Sequence, residues 1–209
     1  MHKFFLKIPW WVRKLYPTYL WKMPAKEKVL YLTFDDGPHP EITPWVLSEL
    51  KSYGAEATFF CIGKNVEQYP GVYQSIVAAG HSTGNHTYSH KNGWKTTDTD
   101  YLQDILKASA VIDSKLFRPP YGRIRRRQAR AIPMAMGRQE ASVVMWDVLS
   151  ADFDRTVSPE QCAAIVVKHA GPGSLVVFHD SEKAFPNLRY ALPQVLDYFS
   201  KKGYLFKKL

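Results

Sequence analysis

Short β-rich apolar runs alternate with stretches of helical period from residue 28 to the end of this 209-residue chain, and this alternation restricts the fold more than any other feature. Residues 28–34 (KVLYLTF), 57–61 (ATFFC), 81–85, 115–118, 141–146 (ASVVMW), 174–178 (SLVVF) and 204–206 read as strands. Between them, 43–53, 72–79, 98–114, 125–136, 161–169 and 188–202 carry helical spacing. Gly54, Gly80 and Gly203 act as stops, and Ser158-Pro159 as a cap with a first-turn proline. Strand–helix repetition implies a parallel sheet, because parallel neighbours need the long crossover that a helix supplies. About seven such units in series, with no dinucleotide-binding glycine fingerprint, predict an α/β fold in the form of a distorted, incomplete (β/α) barrel with about seven parallel strands.

No long linker or repeat interrupts residues 28–209, so that stretch reads as one domain preceded by an amino-terminal segment, 1–27. Lys7, Arg13 and Lys14 break up every apolar stretch of the segment before it reaches the length of a signal-peptide core, and no small-residue cleavage site follows. Nothing in the chain approaches the ~20 apolar residues of a spanning helix. Trp10, Trp11, Leu20 and Trp21 are expected to pack over one end of the barrel, with contact to a membrane surface as the alternative. These readings leave a cytoplasmic or an envelope-associated location open.

The net charge of +9 favours an anionic partner, such as a cell-wall polymer or a membrane surface, with no specific nucleic acid expected. The densest basic run, Arg123, Arg125, Arg126 and Arg127, reads as a solvated helix face. Cys61 and Cys162 have no metal-binding or disulfide-framework spacing and read as buried thiols.

Chemistry-bearing residues follow strand after strand. Asp35 and Asp36 end the first, and two adjacent carboxylates there call for a cation; backbone alternation lets one bind an ion while the other faces an attacking water. His86 and His90 follow the third, at a spacing that on a helical turn puts both imidazoles on one face. The intervening Thr-Tyr-Ser lacks the glutamate of the metalloprotease pattern. Joined to one aspartate, the histidines make a 2-His-1-carboxylate set with open coordination positions. Such a set suits one divalent ion, zinc foremost, with cobalt, nickel, manganese or iron as alternatives. Arg118 precedes a stiff diproline turn and needs a carboxylate partner, and His179 sits at a strand end where a histidine can donate a proton.

In order, TFDDGP (33–38), HTYSH (86–90), RPPYG (118–122), WDVLSADF (146–153) and LVVFH (175–179) resemble the five motifs of the polysaccharide deacetylases of carbohydrate esterase family 4, the NodB-homology domain. The resemblance implies a metal-dependent hydrolase that removes N- or O-acetyl groups from an acetylated glycan containing N-acetylglucosamine. It implies that Asp36, His86 and His90 hold the metal, that Asp35 is the general base acting on a metal-bound water, and that Arg118 orients Asp35. His179 would be the general acid, Asp152 its partner, and the backbone N–H of Tyr121 would help the metal stabilise the oxyanion. Trp146, Phe153, Val177 and Pro120 would contact the substrate. The chain departs from the family pattern at Phe153, where tryptophan is usual, at Leu149, where aspartate is often found, and at Val177, where leucine is common.

Two rival readings exist. A noncatalytic carbohydrate-binding protein would account for six tryptophans and the positive charge, but not for the retention of every expected catalytic residue. An aspartyl-nucleophile phosphatase would account for FDDGP and leaves HTYSH unexplained.

Overall fold

The computed structural model describes residues 5–24 and 26–209. Its strands are β1 (Val29–Asp35), β2 (Ala57–Cys61), β3 (Ser82–Asn85), β4 (Leu116–Phe117), β5 (Ser142–Val143), β6 (Val148–Leu149), β7 (Leu175–His179) and β8 (Leu205–Phe206). Seven pair side by side in the order β5-β4-β3-β2-β1-β7-β6, with β8 beside the start of β1. All pairings are parallel, giving the expected incomplete barrel. The helices are α1 (Trp10–Leu15), α2 (Ile42–Ser52), α3 (Gly63–Gln68), α4 (Pro70–Ala78), α5 (Asp98–Ser109), α6 (Arg126–Arg130), α7 (Ile132–Ala135), α8 (Pro159–His169) and α9 (Phe185–Lys201).

Several boundaries differ from the local pattern for identifiable reasons. The helical run 125–136 divides at Ala131, because Pro133 has no N–H to donate and instead occupies the first turn of α7. The strand expected over 141–146 stops at Val143; beyond it Val144 makes an isolated parallel bridge to Leu20, and the next strand is β6. Between them the carbonyls of Val144 and Met145 accept hydrogen bonds from the Arg118 side chain.

Every residue of β1 except Tyr31 is buried, as expected of a parallel strand covered on both faces. Leu30, Leu32 and Phe34 face the helices, joining Val46 and Leu50 of α2 and Leu192 and Leu196 of α9 in the main core, while Phe34 stacks between Phe59 and Phe178. Alternation sends Thr33 and Asp35 the opposite way, toward the buried guanidinium of Arg118, which lies 4.0 Å over the Phe60 ring. Cys61 and Cys162 are buried free thiols.

The amino-terminal segment runs along the seam between β5 and β6. Leu20 exchanges backbone hydrogen bonds with Val143 and Met145, while Ile8 and Leu6 bond to Asp147 and Leu149. Asp147, wholly buried, accepts from Lys7 Nζ at 2.7 Å, from Ser174 Oγ at 2.6 Å and from Arg13. Trp21 is buried against the core, whereas Trp10 and Trp11 are 68% and 46% exposed, because α1 turns its other face, with Val12, toward the core. Among the described residues no helix is long and apolar enough to cross a membrane.

Candidate active site

Strand register assembles the site. Asp35 is paired with His179 across β1 and β7. His86 continues the ladder by donating its N–H to Cys61 O, and Arg118 does so by donating to Asn85 O. Asp35, His86, Arg118 and His179 therefore meet at one rim, at the carboxyl ends of four parallel strands.

The turn after β1 is tightly held. Asp36 has φ 79°, a left-handed conformation that costs a non-glycine residue on the order of 1 kcal/mol or more. The Asn65 side-chain amide donates to Asp36 O at 2.8 Å, and the Gly37 N–H donates to Asp180 Oδ1 at 3.1 Å. A Cβ on residue 37 would lie 2.1 Å from Asp180 Oδ2, so any larger residue would displace the Asp180 carboxylate. This clamp turns the Asp36 carboxylate toward the histidines.

Residues 86–90 are not a helical turn, contrary to what their spacing suggests. They form an irregular loop in which Thr87 (φ 63°) and His90 (φ 57°) are left-handed. Asn85 Oδ1 accepts from the Thr87 N–H, and Asp104 on α5 accepts from the N–H groups of Tyr88 and Ser89 and from Ser89 Oγ. The two imidazoles thus converge because side chains outside the motif bend the loop.

The donor set fits a divalent ion. His86 Nδ1 lies 2.8 Å from Arg118 O, and since a carbonyl only accepts, Nδ1 carries the proton and Nε2 offers its lone pair. Burial holds the His86 imidazole down to about 4, against the pull of Asp35 and Asp36, so it is neutral at physiological pH. His90 Nδ1 lies 3.1 Å from the Tyr121 hydroxyl, leaving His90 Nε2 to face Asp36. Asp36 Oδ1 is 3.1 Å from His90 Nε2 and 3.6 Å from His86 Nε2, and the three ligand atoms lie within 4.8 Å of one another. Two ligands at about 2.0–2.1 Å from one tetrahedrally held ion would be about 3.3 Å apart, so the two carboxylate–imidazole separations suit a shared divalent ion. Burial acts to raise the Asp36 pKa, but the hydrogen bond from His90 and the positive charges around it outweigh burial and hold the carboxyl well below the usual carboxylate range.

Asp35 is not part of that set. Its Oδ1 accepts from Arg118 Nη1 at 2.6 Å, and the same guanidinium, fully buried, donates to Thr33 Oγ1, Val144 O and Met145 O. On the other side, His179 Nδ1 is 2.7 Å from Asp152 Oδ1, and the His179 N–H donates to Asp152 Oδ2 at 2.7 Å. Burial alone would lower the His179 pKa, but Asp152 foremost, with Asp36 and Asp35 behind it, pushes it up to about 9. Because that value exceeds the ordinary 6.5, protonated His179 contributes stability that is full below pH 6.5 and is lost as pH rises through about 9.

These groups open into a cavity of about 430 Å³. Asp35, Asp36, His86, His90 and His179 form its polar wall; Trp146, Leu149, Phe153 and Val177 form an apolar one. The Phe153 ring stands edge-on to His179 at 5.0 Å. Of the residues expected to contact substrate, Trp146, Phe153 and Val177 line the cavity, whereas Pro120 is buried in the Pro120–Gly122 turn and Pro119 lines the wall instead. Arg118 and Asp152 stand behind the cavity as partners of Asp35 and His179. The Tyr121 hydroxyl contact with His90 and the Asp104 anchor had no local signal, since each lies more than ten residues from the loop it shapes.

The family model described as polysaccharide deacetylase matches residues 22–138, more than half of the chain. The chain belongs to the polysaccharide deacetylase family. This deacetylase-family chain is 34% identical over 177 residues to a peptidoglycan-N-acetylglucosamine deacetylase of Bacillus cereus, a match covering 82% of this chain and 62% of that protein. A second Bacillus cereus protein of the same name is 35% identical over 192 residues, covering 89% of this chain and 88% of the relative. In three dimensions the chain superposes on the crystal structure of the Bc1960 peptidoglycan N-acetylglucosamine deacetylase in complex with a naphthyl N-hydroxybenzamide. The TM-score is 0.85 at 32% identity, and the match covers 97% of this chain and 95% of that one.

Proposed function

We propose that this chain is a metal-dependent deacetylase that removes the acetyl group from N-acetylglucosamine units of a glycan such as peptidoglycan or a chitin oligomer. The observation that carries this reading is a single cavity in which a three-ligand set, a separate Arg118-held carboxylate and an Asp152-held histidine face an apolar wall. The names of the relatives support the acetylated glycan as substrate.

Asp36, His86 and His90 would hold the ion, zinc by preference, which when bound supplies Lewis acidity to water and to the acetyl carbonyl. Asp35, with one oxygen fixed by Arg118, takes the proton of the attacking water. The Tyr121 N–H donates to the oxyanion of the tetrahedral intermediate. His179, protonated because its Nδ1 faces Asp152, donates from Nε2 to the leaving nitrogen, releasing acetate and a free amine. Trp146, Leu149, Phe153 and Val177 receive the acetyl methyl group.

Acetate release from a panel of peptidoglycan, chitin oligosaccharides and acetylxylan by zinc-reconstituted protein tests the proposal. Release from the N-acetylated members is expected. Silence across the panel, with binding retained, would favour the noncatalytic carbohydrate-binding reading; phosphate release from p-nitrophenyl phosphate would favour the phosphatase.

Three further outcomes follow from the geometry. The purified protein should carry about one equivalent of divalent metal, as expected for one site, and the folded His86→Ala/His90→Ala variant should carry almost none by elemental analysis. Asp152→Asn should move the basic limb of the rate–pH profile, expected near pH 9 in the unaltered protein, to lower pH by about 1–3 units. An unmoved limb would show that another group sets it. Phe153→Ala should widen the apolar wall and raise the propionyl-to-acetyl rate ratio, since one methylene is worth ~1–3 kcal/mol in such a pocket; an unchanged ratio would remove Phe153 from the acyl pocket.

A further inference from the structure

Large apolar side chains that the site does not use are open to solvent on the amino-terminal segment. Phe5 is 55%, Trp10 68%, Trp11 46% and Leu15 55% exposed. They stand on an anchored element. On its inner side Ile8 is buried and Val12 packs against the core, while Lys7 and Arg13 are tied to the buried Asp147. Trp11 and Leu15 lie one turn apart on α1, and the Phe5 ring meets that of Trp11 edge-on at 6.2 Å, so the three form one apolar surface.

A basic rim surrounds it. Lys14 Nζ lies 4.8 Å over the Trp10 ring, and the Arg126 guanidinium of α6 lies 5.4 Å over Tyr16, at the end of α1. Arg130, one helical turn beyond Arg126, is exposed as well. No Asp or Glu occurs before Glu27, and α6 contains none.

We infer that this face docks on the surface of an anionic phospholipid bilayer, independently of the reaction proposed above. Indole and phenyl rings and Leu15 enter the boundary between headgroups and acyl chains, and Lys14, Arg126 and Arg130 face the headgroup phosphates. The residue types favour a bilayer over a glycan or an acidic wall polymer. Aromatic rings can stack on sugar faces too, but a glycan is gripped by amides, carboxylates and hydroxyls beside them, and residues 5–16 offer only the Tyr16 hydroxyl and two indole N–H groups beside their cations. Leu15, an aliphatic side chain with no ring to stack on a sugar, gains most where the partner offers an apolar interior.

Co-sedimentation of the full chain with vesicles tests the inference. The protein should pellet with vesicles of phosphatidylglycerol and phosphatidylcholine, and ~10-fold less with phosphatidylcholine alone or at high salt. Trp10→Ser/Trp11→Ser should lower binding by ~10-fold with an unchanged thermal melt, as the loss of interfacial anchors requires. Lys14→Glu/Arg126→Glu should abolish the preference for the anionic lipid. Failure to bind anionic vesicles at low salt overturns the inference. So does tryptophan-variant binding equal to the unaltered protein's, which would mean that charge elsewhere carries the association. Binding to purified insoluble cell wall but to neither vesicle would reassign the surface to a wall polymer.

Discussion

Arg118→Met is expected to lower the free energy of unfolding by about 3–5 kcal/mol, among the largest effects of any single change in this protein. The guanidinium is wholly buried, and Asp35, its partner, is only 4% exposed. Removing the cation leaves that carboxylate uncompensated in a medium that solvates it poorly. It also strips Thr33 Oγ1, Val144 O and Met145 O of their donor, and the last two carry the backbone from β5 toward β6. Lysine is no substitute, since one ammonium cannot reach acceptors on three sides as a planar fork does. Equilibrium denaturation followed by circular dichroism measures the loss; a change below ~1 kcal/mol would mean that the ion pair contributes little beyond its own desolvation.

Asp35→Asn should keep the metal content, at a cost in stability because the buried Arg118 guanidinium loses its counter-charge, while lowering turnover in the folded protein by ~100-fold or more, the usual contribution of a positioned general base. The amide oxygen can still accept from Arg118 Nη1, so the pairing geometry survives. What the amide cannot do is take a proton. The proposed ligand set, Asp36, His86 and His90, does not include Asp35, which is why metal content and activity should separate in this variant. Steady-state rates combined with elemental analysis decide the matter. A near-normal rate would remove Asp35 from the role of base, and loss of the metal together with activity would make it a ligand.

The same separation of roles shows how far local sequence reaches. The two aspartates are adjacent, and a strand's alternation sends them different ways, which is legible from FDDGP alone. Which of them meets the histidines is not. That is set by the left-handed backbone at Asp36, which Asn65 and Asp180 hold through contacts 29 and 143 residues distant in sequence.

The sequence by itself determined the parallel α/β class, the order of the strands along the chain and the placement of reactive residues at strand ends. Each of these depends on periodicity and punctuation within about a dozen residues. Tertiary structure alone decided how those ends converge. The histidines meet through a loop pinned by Asp104 and Asn85 where their spacing suggests a helix. The strand expected over 141–146 is cut short because Arg118 takes the carbonyls of Val144 and Met145. The segment before β1 divides into Trp21, packed against the core, and Trp10 and Trp11, turned outward, because Lys7 and Arg13 are drawn to a buried Asp147 more than 130 residues away. A buried polar group must find its partner wherever the fold offers one, and no local pattern records where that will be.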